Sequence, residues 1–302
     1  MYLPNIQLHE VKTLKEASGL LVHYGDDARL LAGGTDLLVD LKTRRIQADH
    51  LVSINRVDGL RGIERTDGSL RIGALTTITE LCRSPIIHDH FAPILDAASQ
   101  MAAAQVRNMA TVGGNLASAV PCADLPPILM VMNASVELWS PAGERSVPLD
   151  SFFAGPRQTF RRDDEVLTAI VVPRPPARFG AAYARFALRA GNAIAVAGVA
   201  AGFRMNDDKL VHEARIALGA VSPTPKCVPA AADCLIGERI TDDILDKTAA
   251  ETTRAADPIS DVRGSADYRR EIVDILTRRA VTAAGERAGA SYQASLEREK
   301  GS

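Results

Sequence analysis

Aromatic residues are scarce in this chain. They make up 4% of its 302 residues, with Trp139 as the single tryptophan. Trp139 lies in a strand-like run, where packing against neighbours is its ordinary role and stacking on a ligand the alternative. Charge of one sign is also missing. Lys and Arg number 35 against 37 Asp and Glu, a net charge of -2, so no basic stripe points to nucleic acid. Apolar runs are broken by Gly, Pro or charge well short of a membrane span. The segment MYLPNIQLHEVKTL has neither the charged nor the apolar region of a secretory signal. A cytoplasmic protein is expected.

Cysteine is sparse. Cys82, Cys122, Cys227 and Cys234 have spacings that match no zinc or iron–sulfur pattern, which leaves reduced, mostly buried thiols. His88 and His90 have no third metal ligand nearby, and zinc sites want three or four. No G-x-G-x-x-G follows a strand, and there is no phosphate-binding lysine loop and no G-x-S-x-G elbow. If the chain serves a redox reaction, the substrate chemistry belongs to another subunit.

Two glycine pairs are present. Leu31-Ala-Gly-Gly-Thr-Asp-Leu37 precedes a helical run, TDLLVDLKTR, which Thr35 or Asp36 would cap. Ala110-Thr-Val-Gly-Gly-Asn-Leu116 lies 80 residues on and leads to Asp124-Leu-Pro-Pro127. Glycine lacks a Cβ, so its amide approaches a ligand closely and tolerates positive φ. Successive amides in such a turn form an anion-binding concavity. Each pair is flanked by Thr, and neither loop carries Lys or Arg. Two such turns converging would grip a pyrophosphate by main chain. Read singly, each is an ordinary turn.

The strings AGGTDLL and RNMATVGGNLASAVPCADLPP, with the later SDVRGSADYRR, resemble the flavin-binding subunit of molybdenum hydroxylases. Xanthine dehydrogenase, carbon monoxide dehydrogenase and aldehyde oxidoreductase are of this type. The resemblance runs over nearly the whole chain, to about residue 285. It implies an α+β protein. A two-lobed FAD-binding domain of the vanillyl-alcohol-oxidase/PCMH type, 1–176, is followed by a smaller domain, 177–288, with an antiparallel three-stranded sheet and helices. Residues 289–302 are expected to form a loose tail. The hydroxybenzoyl-CoA reductase branch carries a Cys-rich insertion after the second glycine pair. Cys122 stands alone here, so no cluster is expected on this chain.

The resemblance also implies non-covalent FAD on this chain. The molybdenum cofactor would sit on a large partner subunit and 2Fe-2S clusters on a small one, as a dimer of heterotrimers. Ala32, Gly33, Gly34, Thr35 and Asp36 would form the first phosphate loop. Thr111, Gly113, Gly114 and Asn115 would form the second. Asp124 would accept from cofactor hydroxyls, or serve as a helix N-cap. Leu167 would contact the flavin ring. Arg185 falls where many members carry a Lys near the flavin, and a cation there raises the potential of the couple. The alternative for Arg185 is a surface arginine on an edge strand; Arg189 and Asn192 are weaker candidates for the same role. Arg263, Tyr268, Arg269 and Arg270 would either dock a partner or form the charged face of a helix capped by Ser265.

Residue patterns give the local structure. LKEASGLLVHYG reads as a helix with a Gly stop, ARLLAGG and HLVSIN as strands. Asp67-Gly68 and Pro141-Ala-Gly143 mark hairpins. TTITELCRS reads as a short helix, 91–109 as one Ala-rich helix and DLPPILMVMN as a buried helix. PRPP, 173–176, is the linker candidate. Beyond it three strand-like runs precede three helical ones. A self-contained flavin oxidase or a non-enzymatic scaffold are the rival readings, and 177–288 is short for an oxidase substrate domain.

Overall fold

The computed structural model describes residues 4–300 except Asp67, Ala190 and Asn192, with side chains to Gly289. The candidate Asn192 and one half of the Asp67-Gly68 signal therefore lie outside the described residues.

A small α/β layer comes first. It holds β1 (Gln7–Glu10), α1 (Leu14–Tyr24), β2 (Ala28–Leu31), α2 (Leu37–Lys42) and β3 (His50–Ser53). The strands pair in parallel in the order β1-β3-β2, and β1 is an addition to the sequence reading. Thr13 caps α1 by accepting from the Glu16 amide, and Gly25 ends it at φ +52. Neither Thr35 nor Asp36 caps α2. Asp36 holds the N-cap place with no side-chain cap bond.

The second lobe is built on β4 (Ile63–Arg65), β5 (Ser69–Gly73), α3 (Ile78–Arg83), α4 (Pro85–His90), α5 (Pro93–Ala98), α6 (Ala104–Arg107), α7 (Val112–Ala117) and α8 (Leu125–Val131). It continues with β6 (Ser135–Ser140), β7 (Gly143–Pro148), β8 (Phe153–Gly155), β9 (Gln158–Thr159) and β10 (Val166–Pro173). Five strands form an antiparallel sheet in the order β4-β5-β10-β6-β7. Thr77 and Glu80 close a capping box on α3.

The single helix expected over 91–109 is two. Ala102 turns left-handed at φ +43 between α5 and α6. Arg107 holds the break by donating to the carbonyls of Met101 and Ala102 at 2.7 and 3.2 Å. The second glycine pair is likewise no open loop, because Gly113 and Gly114 form the first turn of α7.

The C-terminal part contains β11 (Phe179–Phe186), β12 (Ala197–Met205), β13 (Val211–Gly219), β14 (Lys226–Cys227), α9 (Pro229–Asp233), α10 (Asp242–Ala255) and α11 (Ala266–Lys300). The antiparallel sheet has four strands rather than three, since the short β14 adds to β13. Small residues fill β11 and β12 because helices press on both faces. A Cβ on Gly180 would stand 2.0 Å from the Ala284 carbonyl oxygen of α11. One on Gly202 would meet Val131 of α8 at 3.0 Å. The whole of α8 is buried, and the largest apolar cluster runs from the second lobe through α8 to Ala181, Tyr183, Ala200 and Ala217. The two parts meet in that cluster, and the C-terminal part has a second core of its own between its sheet and its helices. The last helix, α11, extends to Lys300.

Candidate functional site

The first glycine turn leaves β2 and enters α2. Gly34 is left-handed at φ +71, which favours glycine there. Gly33 packs against the second turn: a Cβ on it would stand 1.8 Å from the Met109 carbonyl oxygen and 3.3 Å from Ala110 Cα. The two turns, 80 residues apart in sequence, thus touch. Asn55, two residues past the end of β3, supports the first turn, donating from Nδ2 to the Ala32 carbonyl at 3.1 Å and to Ser53 Oγ at 3.2 Å. Among the described residues, the amides of Gly33, Gly34, Thr35 and Asp36 donate to no other group. Four consecutive unpaired N–H groups at a glycine turn suit an anion.

The second turn differs. Val112 donates to the Thr76 carbonyl at 2.9 Å and Gly113 to the Ala74 carbonyl at 2.8 Å. Gly114 donates to Thr111 Oγ1 at 3.1 Å, and Asn115 to the Thr111 carbonyl at 2.9 Å. The expectation that both turns grip by main chain fails here, because these amides already have partners. Gly113 is glycine for packing: a Cβ would lie 2.6 Å from Ala74 Cβ. What this turn offers is side chain. The Thr111 hydroxyl keeps its hydrogen, and Asn115 Oδ1 is buried with no hydrogen-bond partner. Leu167 is buried in β10 beside Thr168, whose carbonyl accepts from the Ala74 amide at 2.9 Å.

Asp124, Tyr183 and Arg185 form a buried cluster beside α8. Tyr183 and Arg185 are two apart on β11 and so face one way. Tyr183 Oη donates to Asp124 Oδ1 at 3.1 Å, and Arg185 Nε lies 3.5 Å from the same oxygen. Arg185 donates to the carbonyls of Gln100 and Ala193 at 2.6 and 2.7 Å. Its side chain is 5% exposed, so the surface-arginine reading is overturned. Burial raises the Asp124 carboxyl to about 6, while Arg185 and Tyr183 pull it down. Burial also pushes the Tyr183 phenol well up. Asp124 stands at the N-cap of α8 but makes no cap bond.

Among the described residues, four buried side-chain polar atoms lack a hydrogen-bond partner. Two of them, Asn115 Oδ1 and Arg185 Nε, belong to the sequence-derived site, and a bound polar group would satisfy them. The other candidates disperse. His88 bonds the Cys82 carbonyl at 2.9 Å, and His90 bonds Arg65. No group of three or more metal-ligating side chains occurs among the described residues. The expected docking surface loses its centre, because Arg269 is 2% exposed and donates to the Val196 carbonyl and to Asp261. Ser265 does cap the helix, accepting from the Tyr268 amide at 3.2 Å.

Sequence reasoning missed Asn55 and Tyr183. For Tyr183 a signal existed, the alternation with Arg185. For Asn55 there was none, since its partner in the first turn, Ala32, lies 23 residues away. No described helix is long and apolar enough to cross a membrane.

Known proteins resemble the chain over nearly its whole length. Residues 4–175 match the FAD binding domain in molybdopterin dehydrogenase, and 181–284 the CO dehydrogenase flavoprotein C-terminal domain. The carbon monoxide dehydrogenase medium chain of Hydrogenophaga pseudoflava is 36% identical, with 95% of this chain and 99% of that one covered. The putative xanthine dehydrogenase FAD-binding subunit of Escherichia coli is 33% identical over 94% of this chain and 98% of its own length. Among solved structures, carbon monoxide dehydrogenase from Hydrogenophaga pseudoflava superposes with a TM-score of 0.92 at 36% identity, covering 95% of this chain and 99% of that chain. Quinoline 2-oxidoreductase from Pseudomonas putida gives 0.88 at 30% identity, covering 95% and 99%.

Proposed function

The chain belongs to the FAD-binding medium subunits of the molybdenum hydroxylase family, and from that premise we propose that it is the electron outlet of a multi-subunit dehydrogenase. It takes electrons from the 2Fe-2S clusters of a small partner subunit. They originate at a molybdenum cofactor in a large one. It hands them to an external acceptor such as NAD, a quinone or oxygen. The assembly is a dimer of heterotrimers in the cytoplasm. The names of the relatives support the division of labour, since the Hydrogenophaga protein is called a medium chain.

One observation carries the assignment of the site: the contact of Gly33 with Met109 sets the open amides of residues 33–36 beside the second turn. Those amides hold the diphosphate. The Thr111 hydroxyl would donate to it, and Asn115 would orient a polar group through its unpaired amide oxygen. Hydrogen bonds to a charged group contribute about 1.5–3 kcal/mol each, so a cradle without Lys or Arg suffices. Asp124 accepts from cofactor hydroxyls. Leu167 supplies an apolar wall, and Arg185 supplies positive charge near the ring. FAD, when bound, supplies the redox chemistry. No side chain of this subunit is required as general acid or base toward the organic substrate.

The purified chain should be yellow and release its flavin on denaturation. Co-purification from the native source should bring two further subunits. A colourless chain that takes up no FAD on reconstitution would overturn the assignment.

A further inference from the structure

Arg157 links the two glycine turns from a third segment. It sits at the tip of the β8–β9 hairpin, between Gly155 and Gln158. Its backbone is left-handed at φ +63, a conformation that non-glycine residues seldom adopt and that signals an imposed constraint. Two of its groups reach in different directions. The guanidinium binds Asp40 Oδ2. Asp40 lies on α2, the helix that leaves the first glycine turn, and its side chain is 5% exposed. The Arg157 amide donates to the Ala119 carbonyl at 2.8 Å. Ala119 follows α7, the helix that leaves the second glycine turn, and is itself left-handed at φ +44.

The remaining oxygen of Asp40, Oδ1, accepts from Arg45 at 2.6 Å. A nearly buried carboxylate thus holds two cations, one local and one from the hairpin. The local one stays within the α2 segment. Arg157 joins α2 to the residue that follows α7. The Gly33 contact fixes the two turns where they meet, and Arg157 fixes the helices behind them. Two points of attachment set an orientation; one leaves a hinge at a glycine pair.

We infer that Arg157 is a positioning residue for the dinucleotide, holding the open amides of residues 33–36 at a set distance from Thr111 and Asn115. This rests on the proposed diphosphate site. Arg157 touches neither turn itself, so it acts through Asp40 and Ala119. Its side chain is 34% exposed, so truncating it opens no cavity in the core.

The test uses the full chain freed of flavin, with FAD as the probe and quenching of its fluorescence as the readout. Thermal unfolding of the flavin-free forms is measured alongside. Arg157→Met and Asp40→Asn should each raise the Kd for FAD about tenfold or more, and the double variant should be no weaker than the worse single one. Arg157→Lys should recover part of the loss, as it keeps the charge without the fork. A wild-type chain that takes up no FAD ends both the site assignment and this inference. A wild type that binds FAD, with Arg157→Met within about twofold of it, overturns the inference alone. So does a loss of affinity that merely follows a lowered melting temperature of the flavin-free chain and is not recovered by Lys.

Discussion

Gly33 lies so close to Met109 that the smallest side chain has no room between them. A Cβ there would stand 1.8 Å from the Met109 carbonyl oxygen, a backbone atom that cannot swing aside. Gly33→Ala should therefore push the first glycine turn off the second. The expected cost is about 1–3 kcal/mol of stability, typical of overpacking, with a larger loss of bound FAD. Flavin content per chain and urea unfolding check it. Unchanged flavin content would show that the contact is not needed.

Asp124 and Arg185 should act on the flavin potential with opposite signs. Arg185→Gln removes a cation and should lower the potential by about 30 mV, the equivalent of ~1.4 kcal/mol for a two-electron couple. Asp124→Asn removes the compensating anion and should raise it. Spectroelectrochemical titration of both variants reads this. Shifts of the same sign would remove the ring from the neighbourhood of this pair.

The same carboxyl gives a stability signature. Burial raises Asp124 from 3.8 to about 6, against the pull of Arg185 and Tyr183. The folded chain then binds this proton more tightly than the unfolded one. The carboxyl's contribution is complete below pH 3.8 and fades as pH rises through about 6. Comparison of wild type with Asp124→Asn should show the wild-type advantage shrinking across that window. An advantage independent of pH would mean that Asp124 titrates normally.

Glu165 should behave in the opposite way. Arg145 donates to it at 2.6 and 2.9 Å, and this hydrogen bonding holds its carboxyl down to about 2. Its contribution is present above the ordinary value of 4.5 and is lost as pH falls through about 2. Arg145→Met should move the acid-unfolding midpoint upward. No movement of the midpoint would assign acid unfolding to other carboxylates.

Arg269 is buried and bonded to Asp261 and to the Val196 carbonyl. Arg269→Met should destabilise the chain by about 1–3 kcal/mol, because it leaves the Val196 carbonyl without its donor, while Asp261 keeps Arg263. Binding of partner subunits, measured where the variant is folded, should be unchanged. Selective loss of partner binding would restore the docking role.

The first glycine turn was legible because turn chemistry is local, and Gly33 and Gly34 announce it by residue type. Gly113 was not, since it lies in the first turn of α7 and is glycine for its packing on Ala74. Arg185 was legible only in part, since nothing in a strand pattern says that its guanidinium will lie under the carbonyls of Gln100 and Ala193. The break at Ala102 was hidden for a similar reason: Arg107 holds it, and an Ala-rich run gives no sign of it.

The sequence by itself determined which residues can make close turns and which segments favour helix or strand, because those preferences belong to single residues and their immediate neighbours. The tertiary structure decided which amides stay open. Gly113 donates to the Ala74 carbonyl only because the end of β5 is brought beside α7, while Gly33 meets Met109 through its missing side chain and keeps its N–H open. A hydrogen-bond partner that arrives from a distant strand is a property of the packed chain, and no local pattern encodes it.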